Sequence, residues 1–114
     1  YIRELTLIAL VGEAGFENVI AIGEYLLEAE TNLAEVAFSV NTQYQGLGLG
    51  KALLKKISEA ARDNGIAGLV AYTVPTNKAM INLFKSLPYK VVTHFEDDGL
   101  KLSCKFDELK EGLE

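Results

Sequence analysis

A chain of 114 residues, 49% hydrophobic and 24% charged, has the length of one domain and an ordinary globular composition, enough to bury a core without staples. Its net charge of −5 argues against nucleic acid as the main ligand, since gripping phosphates takes a concentrated basic face; it suits a cationic substrate such as an amine, and serves equally as a solubility device. One cysteine and one histidine exclude an internal disulfide and a zinc site of about four ligands, and no apolar stretch reaches the roughly 20 residues that span a bilayer.

The chain opens on Tyr1 rather than Met, without a basic-then-apolar leader, so a missing upstream segment and a cytoplasmic location are expected. Arg3–Val11 and Asn18–Leu27 are apolar runs either side of a turn with Gly12 and Gly15, a pair of antiparallel strands. After the polar turn Glu28–Asn32, Leu33–Val40 alternates. Ala34, Val36, Phe38 and Val40 form a bulky apolar face that belongs to the core. Leu33, Glu35, Ala37 and Ser39 form a smaller, more polar one with a carboxylate in its middle, as expected where a strand lines a cleft.

Asn41–Leu47 reads as a loop, and a helix follows from about Gly48 to Asn64, with Leu49, Leu53, Ile57, Ala60 and Ala61 on one stripe. Asn64-Gly65 stops it, because glycine accepts the left-handed conformation needed there. Ile66–Val74 is a continuous apolar run, consistent with a strand buried on both faces; strand, helix, strand in succession predicts parallel pairing. Pro75-Thr76-Asn77 starts a second helix, with Met80, Leu83, Phe84 and Leu87 on one stripe and Pro88 as the stop. Tyr89–Glu96 and Leu100–Phe106 form a hairpin around Asp97-Asp98-Gly99, with Leu100, Leu102, Cys104 and Phe106 facing inward. Asp107–Glu114 is a charged, frayed tail. The sum is an α+β domain: a mixed, mostly antiparallel sheet crossed by two helices.

The chemistry sits in Gln45-Gly46-Leu47-Gly48-Leu49-Gly50-Lys51. Glycines between a strand and a helix let backbone N–H groups converge on an anion, and the helix N-terminus adds about half a positive charge. A phosphate or pyrophosphate follows as the ligand; glycines kept only for tight packing are the plainer alternative. A Walker A loop fails on Gln45 and Ala52. The dinucleotide fingerprint fails at Lys51 or Leu53, depending on its start. Gln45, Gly48 and Gly50 satisfy Gln/Arg-x-x-Gly-x-Gly, which resembles the pyrophosphate-binding motif of the GCN5-related N-acetyltransferase (GNAT) family. Asn77-x-x-Met80-x-x-Leu83-Phe84-x-x-x-Pro88-Tyr89 is similar to that family's second signature, with Pro88 where glycine is usual. The resemblance runs from about Arg3 to Phe106 and is closest to bacterial protein lysine acetyltransferase domains.

The resemblance implies the GNAT fold, its central sheet splayed at a parallel strand pair. It makes residues 1–114 one GNAT acyltransferase domain that lacks the family's first strand and first two helices. It implies acetyl-CoA as cosubstrate, no metal, and transfer of an acetyl or other acyl group to a primary amine, with a protein lysine as the leading acceptor. A small amine, or a non-catalytic acyl-CoA-binding regulatory module, are the other readings. Ala34-Glu35-Val36-Ala37-Phe38 resembles the strand that carries the general base in the histone-acetyltransferase branch, which makes Glu35 the base. A lysine-type amine has a pKa of about 10.4 and arrives protonated, and a positioned base contributes roughly 100- to 10,000-fold.

By the same resemblance a backbone N–H near Ser39 or Val40 polarises the thioester carbonyl. The pantetheine arm lies along Phe38, Ser39 and Val40 where the two strands part, pairing with main chain. Gln45, Gly46, Leu47, Gly48, Leu49, Gly50 and Lys51 hold the diphosphate, Asn77 bonds the arm or caps its helix, and Phe84 stands where many relatives place an acidic tyrosine. Tyr72 and Tyr89 are alternative acids, each otherwise strand packing. His94 reads as structural and Cys104 as core. A homodimer and a fusion to another domain both stay open.

Overall fold

The computed structural model describes residues 3–112; residues 1, 2, 113 and 114 lie outside the described residues. Six strands form one sheet in the order β1-β2-β3-β4-β6-β5: β1 Glu4–Val11, β2 Asn18–Glu28, β3 Leu33–Val40, β4 Gly68–Thr73, β5 Val92–Phe95 and β6 Leu100–Lys105. Every neighbouring pair is antiparallel except β3 and β4, which are parallel. Helix α1, Leu49–Asp63, links that parallel pair, and α2, Lys78–Lys85, follows β4. Among the described residues no helix is long and apolar enough to cross a membrane.

Period-2 alternation decides which face of the sheet the helices take. Tyr25, Ala34, Val36, Leu69, Ala71, Leu102 and Cys104 project from one face and are buried against Leu54, Ile57 and Ala61 of α1 and Phe84 of α2. These are bulky or close-packing side chains, so that face excludes water and drives docking of the helices. The other face carries Thr6, Glu24, Leu26, Glu35, Ala37 and Tyr72, as the register requires, and much of it is solvent-exposed. α1 buries a broader stripe than its heptad-like pattern suggests: Leu54 and Ser58 are buried with Leu53, Ile57 and Ala61. The Ser58 hydroxyl is satisfied within the helix by donating to the Lys55 carbonyl at 2.8 Å.

Three expectations need correction. β4 is buried on both faces only through Ala71; Tyr72, two residues beyond the buried Val70 on the same face, is 46% exposed. The hairpin strands are shorter than their apolar runs, and Tyr89 instead makes an isolated antiparallel bridge to Leu109. That bridge also removes the frayed tail as far as residue 110. The Lys90 N–H donates to the Glu108 carbonyl at 2.9 Å and the Lys110 N–H to the Pro88 carbonyl at 3.0 Å, while Tyr89 and Phe106 stack edge-to-face with centroids 5.2 Å apart. Charge along residues 107–111 hides the pairing because the bonds are made by backbone.

Candidate active site

The segment between β3 and α1 is built to leave donors free. Asn41 starts it by donating its N–H to the Ile20 carbonyl at 2.7 Å, and its side chain accepts from the Gln43 N–H at 3.0 Å, which closes one 3-10 turn over Thr42–Tyr44. Gly46 and Gly48 then take φ values of 81° and 83°, a left-handed conformation costly to any side chain with a Cβ. Gly48 is the N-cap of α1 and has no side chain to cap with. Consequently the N–H groups of Gly46 through Lys51 make no backbone hydrogen bond among the described residues, and the first helical bond runs from the Ala52 N–H to the Gly48 carbonyl at 3.0 Å. Unspent donors at a helix N-terminus are what an oxyanion ligand completes.

These donors border a cavity of about 560 Å³ between the loop, the start of α1 and α2. Its size falls within the range of small-molecule sites. Phe38 and Val40 of β3 form one wall, and Met80 and Leu83 of α2 another. Of the residues expected to bind a cofactor, Phe38, Val40, Gln45, Gly46, Gly48, Leu49, Gly50, Lys51 and Asn77 line this cavity. Asn77 is the N-cap of α2: its carbonyl oxygen accepts from the Met80 N–H at 3.1 Å, and its amide donates to the Thr73 hydroxyl at 3.0 Å. Both ends of that side chain are thus engaged with protein.

Three expected residues lie elsewhere. Ser39 is on the opposite face of β3 and exposed, Leu47 is 69% exposed, and Phe84 is wholly buried in the core. Phe84 does not face the cavity because α2 turns its 80–83 stripe toward the loop and drives Phe84 down onto the sheet. Tyr44, Met80, Asn82, Leu83 and Ser86 also line the cavity. Met80 and Leu83 were legible as a helical stripe, yet periodicity alone assigns such a stripe to the core. Nothing in the sequence signals Tyr44 or Ser86.

β3 and β4 pair only at Leu33↔Gly68, Ala34↔Leu69 and Glu35↔Val70. Past that point the two strands separate, while β3 remains paired to β2 as far as Val40 and β4 to β6 as far as Thr73. The gap is therefore a defect between two intact ladders, and main chain on both sides of it is available to an extended ligand. Glu35 closes the ladder at the foot of this gap. It is half-buried, on the face opposite Phe38 and Val40, in a shallow depression of about 280 Å³ shared with Glu4, Thr6 and Glu24. Tyr72 lies on the same face, and its hydroxyl donates to Glu28 Oε2 at 2.8 Å. That bond to a carboxylate, reinforced by burial and nearby glutamates, pushes the phenol up to about 12. The sheet thus carries two surfaces on opposite faces of β3: an anion-receptive apolar cavity beside the helices and a carboxylate-rich open face.

The model of the acetyltransferase (GNAT) family matches residues 3–88. An acetyltransferase of Pseudomonas aeruginosa is 30% identical over 89 residues, covering 78% of this chain and 48% of that protein. The thialysine N-epsilon-acetyltransferase of Bos taurus is 29% identical over 89 residues, 75% of this chain and 52% of that one. Among solved structures, the GNAT domain of S. lividans PAT superposes with a TM-score of 0.78 at 31% identity, covering 91% of this chain and 61% of its own. The chain spans about half the length of these two curated relatives.

Proposed function

Because the chain belongs to the GNAT acetyltransferase family, we propose that it moves an acyl group, acetyl in the first instance, from acyl-CoA to a primary amine, with a protein lysine as the acceptor and Glu35 as the general base. The observation that carries this reading is the end of the parallel ladder at Glu35↔Val70. It sets a carboxylate at the foot of the gap, on the face of β3 opposite the cavity with the unspent N–H groups of Gly46 through Lys51. A diphosphate fits those donors, and an apolar arm fits the walls of Phe38, Val40, Met80 and Leu83.

In this reading Glu35 accepts the proton of an ammonium that has come in from the open face. The amine nitrogen then bonds to the thioester carbonyl carbon, the C–S bond breaks, and the thiolate takes its proton from water or from the newly formed ammonium. Main-chain N–H groups of β3 beyond Glu35 stabilise the oxyanion. Phe84 supplies no proton, being both a hydrocarbon and fully buried. Glu4 and Glu24 beside Glu35 favour a cationic acceptor, and the openness of that face suits a side chain presented on a protein. Residues 1–114 act here as one acyltransferase unit, and a cytoplasmic location is part of the same reading.

Glu35→Gln tests it. Acetyl-CoA binding measured by calorimetry should persist, while CoA release with lysine peptides at neutral pH should fall by roughly 100-fold or more, the usual contribution of a positioned base. Unchanged turnover in Glu35→Gln would remove the carboxylate from the mechanism. Binding without turnover on any amine, in the unaltered protein, would favour a regulatory coenzyme-binding module instead.

A further inference from the structure

The side chain of Tyr72 leaves its own strand. The sheet order sets β3 between β2 and β4, yet the Tyr72 hydroxyl of β4 donates to Glu28 Oε2 of β2 at 2.8 Å. Two strand spacings come to about 10 Å, so the two side chains meet over β3 on its open face, the longer phenol supplying most of the span. Glu28 pairs with Leu33, which places the crossing at the foot of the gap, where Glu35↔Val70 ends the parallel ladder. Burial agrees. Val70 is 0% and Leu33 9% exposed although both stand apart from the core cluster that the helices cover, in keeping with a ring laid over them. Glu35 is a neighbour as well: after the Glu28 bond and burial, the charges of Glu28, Glu35 and Glu96 keep the phenol protonated. Past the crossing, the open face of β3 carries only Ala37 and Ser39. Tyr72 therefore stands, still partly exposed, as the one large side chain of β4 beside the gap on the carboxylate side.

We propose that Tyr72 is a specificity-determining residue of the acceptor side, its ring carrying the alkyl stem and ammonium of the incoming amine and holding the nitrogen beside Glu35. The inference rests on the acyl-transfer reading above and names the chemistry that this wall selects: an unbranched alkylammonium, as on a lysine side chain, over the α-amine of a peptide. A flat ring takes methylene groups on its surface and attracts a cation through its quadrupole. An α-amine brings a branched carbon and no such stem. Glu28 is a positioning residue, since its carboxylate fixes the angle of the ring without touching the acceptor. The same bond commits the hydroxyl, so Tyr72 gives no proton to the leaving thiolate. Lys101, the cross-strand neighbour of Tyr72 on β6, lies on the side of β4 away from the gap and leaves the ring over β3 to the acceptor.

Initial-rate titrations of an Nα-blocked lysine peptide and of acetyl-CoA, each at saturation of the other, test this on the whole chain with Tyr72→Leu, Tyr72→Phe and Glu28→Ala. Tyr72→Leu fills the same place without an aromatic face. It should raise the peptide KM roughly fivefold or more, the worth of a cation over a ring, and leave the acetyl-CoA KM unchanged. Tyr72→Phe keeps the ring and loses one hydrogen bond, so its peptide KM should rise no more than about threefold; Glu28→Ala should match it. The unaltered protein should prefer the lysine peptide to a lysine-free peptide with a free α-amine by roughly tenfold or more in kcat/KM. A peptide KM unmoved in Tyr72→Leu, a Tyr72→Phe variant as poor as Tyr72→Leu, or equal use of the two peptides overturns the proposal and leaves the acyl-transfer reading standing. An acetyl-CoA KM that climbs in step with the peptide KM makes Tyr72 part of the frame of the gap and overturns the proposal too. No CoA release with any amine by the unaltered protein overturns the acyl-transfer reading itself, and this one with it. Circular dichroism confirms that each variant is folded, as the partial exposure of Tyr72 leads one to expect.

Discussion

The side-chain amide of Gln45 donates to the carbonyl oxygen of Val40 at 3.2 Å. One bond thus ties the glycine loop to the last residue of β3, beside the gap into which the acyl arm is read. The exposed Gln45 side chain contributes geometry, while the main chain after it contributes the anion-binding donors.

Gln45→Ala removes that tie without opening the core. A single exposed hydrogen bond contributes about 1 kcal/mol, so acetyl-CoA should bind roughly fivefold more weakly. The melting temperature should move by only a few degrees. A steady-state titration of acetyl-CoA at saturating amine reads this as a raised KM with kcat nearly kept; a selective loss of kcat would show that Gln45 acts on the chemical step.

Gly48 and Gly50 should behave oppositely when changed to alanine. Gly48 sits at φ 83° with nothing within 4 Å of an added Cβ, so Gly48→Ala costs the left-handed strain alone, about 1–2 kcal/mol of stability. Gly50 is inside the first turn of α1, where an added Cβ meets the Leu83 side chain at 3.4 Å, an ordinary contact. Gly50→Ala should therefore hold or raise stability, by up to about 1 kcal/mol from helix propensity. Its methyl nevertheless stands in the cavity wall, so coenzyme affinity should drop. Denaturant midpoints and coenzyme titrations of both variants check the pair: loss of stability without loss of binding in Gly50→Ala would contradict the geometry.

Tyr72 gives a pH prediction with a definite sign. Its pKa is raised from the ordinary 10.0 to about 12 by the hydrogen bond to Glu28. A raised folded-state pKa contributes stability that is fully present below the unfolded value, pH 10, and is lost as pH rises through 12. The side chain is 46% exposed, so the effect is small in energy. Urea midpoints of the unaltered protein should fall faster between pH 10 and pH 12 than those of Tyr72→Phe, and tyrosinate absorbance should lose its highest-titrating component in the variant. Parallel pH profiles would mean that the Glu28 bond is not held in solution.

Much of the fold was legible because it is written in local terms. Alternation in Leu33–Val40 marked both faces of β3 correctly, Asn64-Gly65 and Asn77 marked helix ends that the backbone adopts, and the order of strand, helix and strand foretold the parallel pair. Where reading failed, the deciding contact was distant in the chain. The tail is held because Tyr89 meets Leu109. Tyr72 is open to solvent although Val70, two residues earlier on the same face, is fully buried. Gly68 looks like any strand glycine, yet a Cβ there would come within 2.0 Å of the Cys104 carbonyl oxygen, a requirement set by β6.

By itself the sequence determined the loop: two glycines at positive φ and a helix start that leaves amide hydrogens unspent are consequences of residue types a few positions apart, through sterics and local hydrogen bonding. Only the tertiary structure decided where the β3–β4 ladder stops, that Glu4 and Glu24 join Glu35 on the open face, and that Tyr72 meets Glu28 across β3. Each of these depends on how the sheet and its helices settle against one another across long separations, and no local preference encodes that.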